Sequence, residues 1–245
     1  MRLRRLFVEE PLAGRTELSL RGAAARHAGT VLRLGPGDEL RVFDGRGGEF
    51  AARVGAAGKG QLCLALGEFF AEASAPALRA MLWQGVARSE RMDFTIQKAT
   101  ELGVETISPV IMRRSVVRLE GERAERRRRH WQALAASAAE QSGRTRVPAI
   151  LEPAPLEDLL RLEREAGHDL LLEPGAPVSL ASLRHDPAEN LTLLAGPEGG
   201  FDDAEREMAV AAGFRTVGLG PRVLRTETAA IVALSIAQAQ WGDLR

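Results

Sequence analysis

Cysteine is almost absent from this 245-residue chain, with Cys63 the single example. Neither a disulfide framework nor a cysteine-based metal site can be assembled within one chain, and a reducing compartment is expected. No run of 18 apolar residues occurs, and arginine-rich Met1–Phe7 leads into Val8-Glu9-Glu10-Pro11 without an apolar segment. The sequence therefore predicts a cytoplasmic protein that neither crosses a membrane nor is exported. Tyrosine is missing and aromatics make up 4%, which limits base stacking as a mode of nucleic-acid recognition. Lysine is nearly missing too: Lys59 and Lys98 stand beside 31 arginines, a bias that genome composition explains as readily as phosphate recognition.

What is present is enough for a core, since 45% of residues are hydrophobic, and the length allows two domains of ordinary size. Formal net charge is zero but unevenly spread. Arg113–Arg146 carries ten arginines against four glutamates, whereas Glu152–Glu207 carries fourteen acids against four arginines. The run Glu122–Arg129 is either a face for RNA phosphates or a solvated helix face.

The first 70 residues alternate short strands with turn signals such as Leu34-Gly35-Pro36-Gly37-Asp38 and Asp44-Gly45, a pattern that suggests a small β-barrel with one helical stretch near Ala23–Leu32. Small residues from Ala71 to Ala77 mark a boundary, so domains are expected over residues 1–72 and 73–245. Beyond it, strands alternate with helices, which predicts an α/β layer with a mainly parallel sheet. Strands are expected near Leu78–Val86, Val104–Val110, Val147–Leu151, Asp169–Leu172, Leu191–Ala195 and Thr216–Leu219. Ser89 is placed to cap a helix that ends at Gly103, and further helices are expected over Glu120–Gln141, Leu156–Ala166 and Ala229–Trp241. The last is apolar on nearly every side, so it must be covered by the sheet and by something else, for which a second subunit is one candidate.

The apolar strand Leu191–Ala195 empties into Gly196-Pro197-Glu198-Gly199-Gly200-Phe201, with Asp202 or Asp203 placed to cap the next helix. Such a turn offers backbone N–H groups to a flat or anionic ligand. It is neither a phosphate-gripping P-loop nor a dinucleotide fingerprint, and it follows the fifth expected strand rather than the first. Gly218-Leu219-Gly220-Pro221 repeats the device and leads through Arg222-Val223-Leu224-Arg225 into Thr226-Glu227-Thr228.

Leu193–Phe201 and Gly218–Ala229, with Ser89–Asp93, Gln97–Val104, Arg114–Val117, Ala139–Arg144, Val147-Pro148, His27–Leu34, Gly37-Asp38 and Asp44-Gly45, resemble in order the segments of the ribosomal RNA small-subunit methyltransferase E family, of the knotted SPOUT superfamily. The resemblance spans essentially the whole chain. It implies a PUA-like RNA-binding barrel, an α/β domain with a trefoil knot, a homodimer, S-adenosylmethionine as cofactor, no metal, and methylation of N3 of one uridine in 16S ribosomal RNA, free or within the assembled small subunit. It also implies a donor pocket lined by Gly196, Pro197, Glu198, Gly199, Gly200, Leu219 and Gly220, with Leu172, Leu194, Leu224, Arg225 and Thr228 around it.

Arg225 is the candidate to orient the uracil or stabilise its developing charge, and Glu198 or Glu227 to take the proton or hold the sulfonium end. For each the plain alternative is structural, a helix-terminal carboxylate or a salt-bridge partner. Candidate RNA contacts are Arg2, Arg4, Arg5, Arg26, Arg33, Arg113, Arg114 and Arg118, with His27 more readily a packing residue. An assembly factor without catalysis would not need two ligand-ready loops, but a related knotted methyltransferase acting on another uridine or on ribose would share them.

Overall fold

The computed structural model describes residues 4–58, 60–72, 77–184 and 190–244. The chain forms two compact units, residues 1–75 with Ala139–Val147, and residues 76–138 with 148–245.

In the first unit β1 (Arg5–Phe7), β2 (Glu17–Arg21), α1 (Gly22–Arg26), a wide helical turn over His27–Val31, β3 (Glu39–Phe43), β4 (Glu49–Gly58) and β5 (Gln61–Phe70) follow one another. The strands make one curled mixed sheet in the order β1-β3-β4-β5-β2, with only β1 and β3 parallel. Period-two alternation puts Leu18 and Leu20, Leu40 and Val42, and Leu62 and Leu64 into one core with Leu6, Leu12 and Leu34.

Asp44-Gly45 makes the expected turn. Asp44 accepts the N–H of Leu12 at 3.1 Å, and Gly45 has φ of +79°, where a glycine is favoured. Segment Ala139–Val147 belongs to this unit, although the sequence boundary places it in the second domain. Glu140 accepts the Phe7 N–H at 2.9 Å and faces His27 at 3.0 Å, and the Arg5 guanidinium donates to the Gly143 carbonyl at 2.7 Å.

The second unit runs β6 (Arg79–Gly85), α2 (Ser89–Glu101), β7 (Thr106–Ile111), α3 (Gly121–Ser142, whose last turn counts with the first unit), β8 (Ala149–Ile150), β9 (Ala154–Pro155), α4 (Leu156–Leu160), β10 (Gly167–Leu172), β11 (Asn190–Ala195), α5 (Asp203–Ala211), β12 (Arg215–Val217) and α6 (Thr226–Trp241). Its sheet is parallel, in the order β12-β10-β11-β6-β7-β8, with β9 continuing beside β7. Every residue of β11 is buried, as a central parallel strand requires.

Three expectations need correction. Arg88, not Ser89, is the N-cap of α2 and makes no side-chain cap bond, while the Ser89 hydroxyl accepts from Arg127 at 2.6 Å. α4 ends at Leu160 rather than Ala166, because Arg164 turns the chain back, pairing with Asp169 and donating to the Ala212 carbonyl. A short strand at Ala154–Pro155 has no counterpart among the expected elements. Gly103 does close α2, with φ of +89° and its N–H donated to the Thr100 carbonyl.

Candidate active site

All strands of the second sheet point the same way, so the loops after β10, β11 and β12 emerge on one carboxyl edge, where open α/β sheets bind ligands. The two glycine loops follow strands that are not neighbours in the sheet. β10 lies between them, pairing Leu171 with Leu194 and Leu172 with Val217. Two strand spacings separate the loops' roots by about 10 Å. Leu172, 6% exposed, ends the strand in that gap.

In the first loop Gly200 donates to the Pro197 carbonyl at 2.9 Å and has φ of +67°. Gly199 is needed for close approach, since a Cβ there would fall 2.8 Å from Arg114 Cβ. The N–H groups of Glu198 and Gly199 have no hydrogen-bond partner among the described residues. Beneath the loop, Leu194 is fully buried with Trp83, Leu171 and Phe201, so it supports the loop from the core. The helix that follows closes its own terminus. Asp202 accepts from the Glu205 N–H and Glu205 accepts from the Asp202 N–H, both at 3.0 Å. Glu205 also accepts from the Arg113 N–H at 2.7 Å. The bond from the Glu205 N–H, aided by Arg113 against the opposing effect of desolvation, holds the Asp202 carboxyl below its ordinary pKa.

The second loop behaves differently. Both backbone groups of Gly218 are used by the preceding connection, its N–H by the Val178 carbonyl and its C=O by the Leu180 N–H, and a Cβ there would meet the Ala176 oxygen at 2.9 Å. Leu219 and Gly220 keep unpartnered N–H groups among the described residues, and Gly220 has φ of +106°. Arg225 is the N-cap of α6 but provides no side-chain cap, so the first-turn N–H groups of Thr226, Glu227 and Thr228 remain open at the positive end of a 16-residue helix. The Arg225 side chain is exposed and forms no ion pair or hydrogen bond among the described residues. The plain salt-bridge alternative for it is not what is seen.

Residues that sequence reasoning missed tie the loops together. Gln84, fully buried at the end of β6, donates to the Thr226 hydroxyl at 2.9 Å, and Thr226 donates in turn to the Gly196 carbonyl. A Cβ on Gly85 would fall 2.6 Å from Pro197 Cδ, so this strand glycine lets the first loop lie directly on β6. Arg91 in α2 faces Glu198 at 3.4 Å and Glu227 at 4.0 Å, and Glu198 accepts the Arg88 N–H at 2.9 Å. Both acids therefore lie at helix termini, Glu198 at the start of α2 and Glu227 in the first turn of α6, and the Oε2 atom of each is buried without a partner among the described residues. The available signals were a polar Gln-Gly pair in an apolar strand and an arginine in the first turn of α2.

The comparisons with known proteins agree with this geometry. A family model for the RNA methyltransferase domain matches residues 74–238, and one for the RNA methyltransferase PUA domain matches residues 20–66. The ribosomal RNA small subunit methyltransferase E of Mycobacterium bovis is 36% identical, over 88% of this chain and 84% of its own. The chain belongs to the ribosomal RNA small subunit methyltransferase E family.

Two solved structures extend the match. The family member from Neisseria gonorrhoeae, bound to S-adenosyl methionine, is 34% identical with a TM-score of 0.91 over 99% of this chain and 100% of its own. A putative methyltransferase from Legionella pneumophila, in complex with the same cofactor, is 34% identical with a TM-score of 0.93 over 100% of both chains. The expected fold class, a PUA-like sheet followed by an α/β methyltransferase domain with a parallel sheet, is the one observed.

Within this family member the candidate RNA arginines divide into two groups. Arg4 is engaged internally, with Asp38 at 3.1 Å and the Leu32 and Arg33 carbonyls at 3.2 Å, and Arg5 pairs with Glu49 at 3.0 Å. Arg113 is committed to Asp202 at 3.2 Å, and Arg114 donates to the Gly199 carbonyl at 3.3 Å. Arg26, Arg33 and Arg118 are exposed and unpartnered among the described residues, whereas Arg2 lies outside those residues. His27 is a structural partner of Glu140. In the basic run of α3, Arg128 and Arg129 share Glu125 and Arg127 donates to the neutral Ser89 hydroxyl, while Arg123 and Arg126 are exposed, so the positive charge of this run is only partly offset. Among the described residues no helix is long and apolar enough to cross a membrane.

Proposed function

We propose that the protein methylates N3 of a uridine in 16S ribosomal RNA of the small subunit, with S-adenosylmethionine as donor. The observation that carries this reading is the set of open backbone donors on two loops flanking β10, with an unpaired arginine immediately beyond the second. The residues suit the donor. Glu198, Gly199, Leu219 and Gly220 offer main-chain N–H groups to the adenosyl part, and Leu172 and Leu224 offer apolar surface to the purine. Gly196, Pro197, Gly200 and Leu194 shape the first wall, and Thr228 belongs to the open helix terminus. Bound there, S-adenosylmethionine supplies the methyl group.

The uracil imide must lose its N3 proton, and negative charge then spreads onto its carbonyl oxygens. Arg225 is free to orient the base and stabilise that charge. Glu198 and Glu227, each with an unpartnered carboxylate oxygen, are the groups available to take the proton or to offset a cation. Residues 1–72 form the RNA-binding domain and residues 73–245 the catalytic domain, whose C-terminal loops thread a trefoil knot of the SPOUT type.

Two copies form a homodimer in the cytoplasm, covering the half-buried Ile231, Val232 and Ile236 of α6. Calorimetric titration with S-adenosylmethionine tests the pocket. Gly199→Val, which drives a side chain into Arg114, should weaken binding by about 5- to 150-fold, an overpacking cost of about 1–3 kcal/mol. Undiminished affinity would place the donor elsewhere.

A further inference from the structure

We propose that Arg91 is a positioning residue for methyl transfer, the one cation shared by Glu198 of the first loop and Glu227 of α6, which fixes the two walls of the donor site against each other. The inference rests on the reading of these loops as the donor site.

Arg91 stands in the first turn of α2, with Nη1 3.4 Å from Glu198 Oε1 and Nε 4.0 Å from Glu227 Oε1. Both carboxylates are 13% exposed and the guanidinium 32%, so water and salt screen these charges less than a surface pair. No other cation lies within ion-pair reach of either acid among the described residues. Glu198 has the Arg88 N–H as a second partner, and Glu227 has no hydrogen-bond partner beyond its place at the helix terminus.

Two half-sealed like charges share one counter-ion, and without it they repel. Since one acid sits on the first loop and the other on α6, that repulsion acts along the line that sets the width of the site. The neutral tie through Gln84, Thr226 and Gly196 joins the same two elements and does not involve Arg91. Loss of Arg91 should therefore misplace the walls while the fold persists. Lysine retains the charge but reaches one acid at a time, because it lacks the planar fork. Methionine retains only the apolar stem.

The test is a double-mutant cycle on the full chain, read by calorimetric titration with S-adenosylmethionine. Arg91→Met should weaken binding about tenfold, at the low end of the coupling energies for close charge pairs. Arg91→Lys should recover part of that loss. Glu227→Gln is made alone and in the Arg91→Met protein, and the double variant should bind no worse than Arg91→Met alone, because the repulsion goes with the second charge. Binding by Arg91→Met within about twofold of the unaltered protein, or losses that simply add, would overturn the inference. If the unaltered protein bound no S-adenosylmethionine, the donor reading itself would fall. The four corners of the cycle, the unaltered protein, Arg91→Met, Glu227→Gln and the double variant, compared by melting temperature would then judge the clamp, which coupled shifts support and additive shifts overturn.

Discussion

Gly85 shows how a residue with no side chain can govern a site it does not line. Its α-carbon lies so near Pro197 that a methyl group would have to displace the first loop. Gly85→Ala should destabilise the fold by about 1–3 kcal/mol and weaken donor binding in parallel, measured by denaturant unfolding and titration. Unchanged values for both would mean that the loop does not depend on this contact.

Arg225 is the opposite case, a long side chain with nothing to hold it. Arg225→Ala should leave stability and donor affinity nearly unchanged while lowering kcat about 10²–10³-fold, as loss of one preorganised donor does. Steady-state methylation assays separate these effects. The glycine turns were visible in the sequence as loops after apolar strands, but a turn of this kind alone is a weak signal, and the donor pocket and the place of Arg225 came only from the family resemblance. Gln84 and Arg91 were not legible, since a tie between residues 142 positions apart leaves no local pattern.

The helix termini set the two loops apart. α5 is closed by its Asp202–Glu205 capping box and α6 is left open at Arg225, so the sequence correctly expected an aspartate cap but wrongly treated the two turns as equivalent. Asp202→Ala should lower the melting temperature at neutral pH. Because the folded carboxyl titrates below its ordinary value of 3.8, its contribution is complete above that value and is lost as pH falls through the lowered one. The gap between the two proteins should therefore narrow in strong acid, which thermal melts at several pH values will show.

Thr226→Val removes two hydrogen bonds but leaves the Gln84 amide its contacts with the Gly85 and Gly196 carbonyls, and should cost about 0.5–1.5 kcal/mol for each bond lost. The six strands expected for the second sheet were legible from apolar runs to within two residues at each end, whereas the short β9 had no counterpart among them. The end of α4 was not legible, because Arg164 stops it through contacts with Asp169 and Ala212, residues outside any local window.

At the scale of the whole chain, two units and a change from a mixed to a parallel sheet follow from the change in periodicity near residue 72. The return of Ala139–Val147 to the first unit could not be read, since nothing in a helical Ala-Ala-Glu-Gln segment states which core it serves. The arginine environments separate exposed candidates for RNA contact from residues held within the fold. Replacing both Arg26 and Arg33 by alanine should weaken binding of a small-subunit RNA fragment and flatten its salt dependence by roughly 0.7–0.9 for each phosphate no longer neutralised. Arg4→Ala should instead lower stability, because Arg4 holds Asp38 and the loop around it.

Analysis of the nucleosides formed when the protein acts on small-subunit ribosomal RNA with methyl-labelled S-adenosylmethionine tests the account most directly. Label confined to 3-methyluridine, and lost with Arg225→Ala, is the predicted result. Label on a ribose oxygen or on another base, or no transfer at all to RNA or to assembled subunits, would contradict it.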